Sequence, residues 1–177
     1  MNDIGEHDIE ATVRALSERV RALEDQLAVY RIVSTYGPAM DTGSGEECGA
    51  LWADDGIYEF AVHVEGGSEI HTVEGPAGVK GMCEDQFQQE LIRQGSAHIM
   101  AMPLVEVTGD SAVATGYSRV YRHGDDGFWV WRVSVNRWEF SRQPDGWRVT
   151  RRSNRMLDGD PDARRLLRRG LGIPPGE

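Results

Sequence analysis

Two polar residues stand where packing gives them no reason to be. Asp41 closes the otherwise apolar stretch Tyr36-Gly-Pro-Ala-Met-Asp41, and His98 opens the apolar stretch His98-Ile-Met-Ala-Met102. A carboxylate and an imidazole brought together in a pocket make a general base that needs no cofactor. The carboxylate fixes the ring tautomer and stabilises the imidazolium, while the ring accepts and returns a proton near neutral pH. Such a dyad requires His98 within about 3 Å of Asp41, with the second ring nitrogen facing the cavity. Tyr36 can then donate a hydrogen bond to a leaving hydroxyl or a developing enolate. Plainer uses stand beside these. Asp41 precedes Thr-Gly-Ser-Gly and can cap a turn, His98 can be a satisfied core histidine, and Tyr36 can be a packing residue of an amphipathic helix. His63, His71 and His123 read as surface or strand-edge residues, and no second histidine or carboxylate stands at ligand spacing, so no metal is expected.

The dyad must be positioned by the elements around it. Ile9, Val13, Leu16, Val20, Leu23 and Leu27 recur at intervals of three and four, which predicts a long first helix. Leu27 to Tyr36 continues it, Pro38 disturbs it, and Asp41-Thr-Gly-Ser-Gly45 ends it. Glu46 to Trp52 reads as a short helix and Ala53-Asp-Asp-Gly56 as a turn. The pattern then changes to strands: Ile57–Val64 and Glu69–Val73 form a hairpin around Gly66-Gly67. A third helix opens at Gly75-Pro76 and closes near Gly95. Strands follow over His98–Val107, Ser111–Arg122, Phe128–Arg142 and Trp147–Met156, separated by Gly-Asp, Gly-Asp-Asp-Gly and Pro-Asp-Gly turns. Helices first and hairpin-connected strands after predict an α+β domain. A curved antiparallel sheet would wrap about three helices into a cone able to hold a small molecule, with the first helix extending beyond it. The expected organisation is a helical extension over residues 1–20, the domain over 21–157, and a helical or loose tail over 158–177.

This order of elements resembles the SnoaL-like branch of the nuclear transport factor 2 fold. The likeness is carried by Leu23–Tyr36, Met40-Asp41, Leu51-Trp-Ala-Asp-Asp-Gly-Ile57, Val73-Glu-Gly-Pro-Ala-Gly-Val79, His98 ahead of Pro103–Asp110, and Asp145-Gly-Trp147. Within the branch, Tyr36, Asp41 and His98 resemble the tyrosine, aspartate and histidine of bile-acid 7-alpha-dehydratases. Asp41 and His98 also resemble the dyad of hexachlorocyclohexane dehydrochlorinases, with scytalone dehydratases more distant. The resemblance implies a cofactor-independent lyase, a dehydratase acting on a steroid- or polyketide-like molecule. An isomerase or polyketide cyclase using the same base, and a non-catalytic ligand-binding or dimerisation domain, are the alternatives. Three features depart from those relatives. No lysine precedes Asp41, no acid lies in Thr115–Arg122, and Arg119 and Arg122 occupy that segment instead. The expected apolar lining is Trp52, Tyr58, Phe60, Met100, Met102, Tyr117, Trp131 and Trp138, although period two sets Trp131 and Trp138 on opposite faces of one strand. Asn136, Arg119 and Arg155 are the candidate polar anchors.

Composition narrows the partners. The 177 residues carry a net charge of −10, with 40% apolar and 27% charged residues, as in an ordinary globular domain. That balance argues against nucleic acid and anionic membranes, and the one basic cluster, Arg164–Arg169, decorates a helix. No apolar run approaches the ~20 residues a membrane span needs, no leader pattern opens the sequence, and two cysteines make no disulfide framework. A reduced cytoplasmic setting is therefore expected. Domains of the resembled type pair through the open sheet, so a homodimer or homotrimer is expected, to which the first helix can add.

Overall fold

The computed structural model describes residues 3–65 and 67–174. The side chain of His63 lies outside the described residues, as do Gly66 of the hairpin turn and residues 175–177 of the tail. Among the described residues, five helices and seven strands follow one another. They are α1 (Asp3–Thr42), α2 (Gly45–Gly49), β1 (Trp52–Val64), β2 (Gly67–Glu74), α3 (Gly75–Glu84) and α4 (Gln86–Gln94). After these come β3 (Ser96–Met100), β4 (Leu104–Thr108), β5 (Ser111–Gly124), β6 (Gly127–Gln143), β7 (Gly146–Met156) and α5 (Pro161–Gly170). The strands form one open sheet in the order β2-β1-β7-β6-β5-β3, with β4 also paired to β5. All neighbours are antiparallel except β1 and β7, so the sheet is mixed. The chain belongs to the α+β class, with a long first helix and a sheet curved around helices.

Four local expectations change. The helix α1 runs through Pro38, forgoing one backbone bond there. Ala53-Asp-Asp-Gly56 is an irregular part of β1, not a turn: the β1–β7 register shifts between Trp52 and Ile57. The single helix expected from Gly75 is two, because Asp85 is extended (φ −65°, ψ 157°) and its carboxylate caps α4 at Gln88 N, 2.9 Å away. The long strand expected from His98 breaks after Met100, because Pro103 cannot donate to a ladder, and its two parts pair with different stretches of β5.

The cone is filled by one core. Val29, Val33, Tyr36 and Met40 of α1 meet Trp52 and Tyr58 of β1, Val79 and Cys83 of α3, Trp138 and Phe140 of β6, and Trp147 and Val149 of β7. A second cluster, Val135 with Ala163 and Leu166, seats α5 on the other face of the sheet. Asp25 fastens α1 across the cone by accepting from both terminal nitrogens of Arg142 (2.8 and 2.7 Å) and from Trp147 Nε1 (3.0 Å). The Arg142 guanidinium holds the Asp25 carboxyl below the usual range.

Candidate active site

Asp41 lies one residue from the end of α1, and His98 is the third residue of β3. The α1 helix reaches β3 at van der Waals limits. A Cβ on Gly37 would stand 2.2 Å from the His98 carbonyl oxygen, so only glycine allows the helix this close. The approach lets one carboxylate hold the histidine twice. The His98 backbone N–H donates to Asp41 Oδ2 (2.7 Å), and Nδ1 meets Asp41 Oδ1 (2.6 Å). Because Oδ1 is a carboxylate acceptor, the neutral ring carries its proton on Nδ1 and its lone pair on Nε2. Both side chains are largely buried, at 14% and 22% exposure, and His98 borders a cavity of about 150 Å³. Gly37→Ala is therefore expected to push α1 from β3 and to lower kcat/KM about 100-fold, the scale of an ~1 Å misplacement. Turnover measured beside a circular-dichroism melt separates this from unfolding.

Tyr36, Met40, Tyr58, Phe60, Met100 and Leu91 form the apolar wall of the cavity, and Ser118, Asn154 and Arg152 its polar floor. Burial holds the Tyr36 hydroxyl well above its usual pKa, so it is a neutral donor. Arg152 is the residue that the sequence reading missed. It is 2% exposed, and its guanidinium carbon lies 4.0 Å from the Tyr36 ring centroid, 4.3 Å from Tyr58 and 4.0 Å from Trp138. Nε and Nη2 donate to Asn136 Oδ1 (3.0 and 2.8 Å), while the buried Nη1 has no protein partner. Among the described residues, no carboxylate lies within 4 Å of Arg119, Arg132 or Arg152. Arg132 and Arg152 thus border this cavity without a carboxylate partner, and Asp85 borders it too.

Two bulges explain the lining. Glu139 pairs with Arg151 and Phe140 with Val149, so Thr150 is an extra residue in β7. Strict alternation from Trp147 and Val149 would turn Arg151 and Arg155 inward. The bulge instead turns Arg152 and Asn154 in. Arg155, expected as an anchor, turns out and lies 3.7 Å from Glu59. In β6, Val120 and Tyr121 pair with Arg132 and Val130, leaving Trp131 extra. Trp131 and Arg132 therefore both border the cavity, and Trp131 meets Phe87 of α4 (6.1 Å between centroids).

Of the expected lining, Tyr58, Phe60, Met100, Arg119 and Trp131 border the cavity. Trp52 and Trp138 sit behind it, packed on Tyr36. Asn136 lies beneath it, accepting from Arg152 and Asn154 and donating to Ser118 Oγ (2.8 Å). Tyr117 points away, because alternation gives the inner position to its neighbour Ser118, and Met102 is 81% exposed in the β3–β4 break. The one textual hint of Arg152 was the polar run Thr150–Arg155 in a central strand, where a buried strand normally reads apolar. His71 borders an outer groove of about 930 Å³, which shares Phe60, Asp85, Phe87, Trp131 and Arg132 with the cavity. His123 is exposed. Cys48 and Cys83 are free and buried, and burial pushes the Cys48 thiol up to about 12. Among the described residues no three His, Cys, Asp or Glu side chains gather as metal ligands, and no helix is long and apolar enough to cross a membrane.

The model of the SnoaL-like domain family matches residues 21–153, most of the chain. The chain belongs to the SnoaL-like domain family. A crystal structure of a nuclear-transport-factor-2-like protein from Novosphingobium aromaticivorans is 38% identical, over 86% of this chain and 94% of the other, with a TM-score of 0.79. A hexachlorocyclohexane dehydrochlorinase from Novosphingobium barchaimii is 19% identical, over 78% of this chain and 90% of the other (TM-score 0.62), and shares the fold. So does a scytalone dehydratase candidate from Novosphingobium aromaticivorans, at 15% identity over 77% and 86% (TM-score 0.62). No curated protein sequence matches the chain.

Proposed function

We propose that the protein is a cofactor-independent lyase that removes water from a hydroxylated hydrophobic small molecule. The observation that carries the reading is the double hold of Asp41 on His98, which fixes the ring and leaves Nε2 free beside the cavity. In the reaction, Nε2 takes a proton from a carbon next to the carbinol carbon. The C–H electron pair becomes the new C=C bond, and the C–O bond breaks with its pair leaving on oxygen. The imidazolium proton returns to that hydroxide, so water departs and the base is restored. Asp41 stabilises the transient imidazolium and keeps its own charge. Arg152 and the neutral Tyr36 face the charge that develops on oxygen. Arg152 also answers the absence of an acid in Thr115–Arg122, since a cation stabilises a leaving oxygen without supplying a proton.

The inner chamber of about 150 Å³ is on the scale of a cavity that holds a single benzene ring. A polycyclic substrate would place one ring there and extend past Phe87 and Trp131 into the outer groove. Arg132 at the junction fits an oxygen-bearing or anionic substituent on it.

The test is incubation with hydroxylated ketones of one to four rings, followed by mass spectrometry. A product about 18 mass units lighter, the mass of the eliminated water, is expected. An unchanged mass with a shifted double bond would replace dehydration by isomerisation, which the same base and cation can serve through an enolate. Unaltered substrate throughout the panel, with binding retained in His98→Ala, would leave a ligand-binding domain.

A further inference from the structure

Helix α1 carries two apolar stripes on opposite sides. Val29, Val33, Tyr36 and Met40 face the cone and are buried. Ile9, Val13, Leu16, Val20, Leu23 and Leu27 are between 51% and 65% exposed. At about 100° per residue the second stripe lies roughly 150° around the helix from the first, and it runs over the turns that precede it. Residues 8–24 of α1 are exposed on every face, so nothing in the described domain covers the second stripe. Six large apolar side chains in a single row, ahead of a domain that ignores them, call for another chain.

We infer that the seam of α1 is a parallel two-stranded coiled coil with a second copy of this chain. The spacing 4-3-4-3-4 is a strict heptad pattern with Val13, Val20 and Leu27 at a and Ile9, Leu16 and Leu23 at d. Valine at a with leucine at d, as in the central pairs Val13/Leu16 and Val20/Leu23, favours two strands over three. The flanking charges choose the direction. Arg19 falls at g and Glu10 and Glu24 at e. In a parallel pair Arg19 of each helix faces Glu24 of the other, whereas an antiparallel pair would set Arg19 against Arg19 and Glu10 against Glu24. The two domains then lie at the same end of the coil, and the two-fold interface closes on itself. Most of the seam precedes residue 21, where the family match begins. It is therefore a feature of this chain beyond the shared domain.

Native Cys48 and Cys83 are buried, so an added thiol on the seam reacts alone. Val20→Cys, oxidised at about 100 µM protein to favour association, is expected to run as a disulfide dimer on a non-reducing gel. Light scattering of the full chain should give twice the mass of Leu16→Glu/Leu23→Glu, both of whose substitutions sit on exposed positions and spare the fold. Glu24→Arg should weaken the association, and Arg19→Glu/Glu24→Arg should restore it. Equal masses for the wild type and the Leu16→Glu/Leu23→Glu variant would leave the seam to some other partner and overturn the inference. So would cross-linking of Leu16→Cys to Val20→Cys with no Val20→Cys homodimer, which reports antiparallel helices.

Discussion

Replacement of His98 by alanine is expected to lower turnover by about 10³- to 10⁴-fold while leaving ligand binding within a few-fold, since general-base removal costs the chemical step and not the apolar contacts. Asp41→Asn should fall nearly as far. The amide can present NH₂ or C=O to Nδ1, so the tautomer that frees the Nε2 lone pair is no longer enforced. The double variant should lose little more than either single one, because the two side chains act as a unit. Rates on the dehydrated substrate, with folding followed by circular dichroism, check all three. Independent, additive losses would show that Asp41 serves only to tie α1 to β3 and would remove it from the proton-transfer step.

Arg152→Met carries the second large effect, and it separates function from architecture. An arginine held for stability would be paired, and breaking a buried pair costs about 3–5 kcal/mol. Arg152 has no carboxylate partner: it rests on three aromatic faces and Asn136, with Nη1 unbonded. Methionine keeps the volume and relieves the charge of its desolvation, so the lost cation–π contacts and the gained solvation free energy largely offset each other. The melting temperature should stay within a few degrees while kcat/KM falls about 10²- to 10³-fold. Arg152→Lys should recover only part of the rate, because a lysine ammonium cannot lie flat between the rings or fork onto Asn136. A large fall in melting temperature with turnover intact would make Arg152 a structural residue and leave the developing negative charge without its cation.

The contrast between His98 and Arg152 shows where the sequence was legible. His98 and Asp41 were visible because each is polar in an apolar run, a local contrast that needs no knowledge of neighbours. Arg152 follows Arg151 and precedes Ser153 and Asn154 in a strand where polar residues are unremarkable one by one. Its burial depends on the extra residue at Thr150, and a bulge is set by how two strands pair, not by either strand's composition. A second bulge placed Trp131 at the cavity, whereas plain alternation turned Tyr117 out and the break before Pro103 left Met102 exposed. Gly37 stands in the chain beside Pro38 with nothing local to single it out. Only the 2.2 Å approach of His98 O to its absent Cβ gives it a role.

By itself the sequence determined the α+β class, the heptad seam of α1, most helix and hairpin positions, and the polar residues from which a base could be built. Those features follow from periodicity and turn chemistry, which act over a few neighbouring residues. The tertiary structure alone decided that Asp41 and His98 meet, that β1 lies parallel to β7, that the seam stands clear of its own domain, and that an arginine with no carboxylate partner among the described residues floors the cavity. Each of these joins segments tens of residues apart. Their register is fixed by the packing of the whole core, which no local stretch encodes.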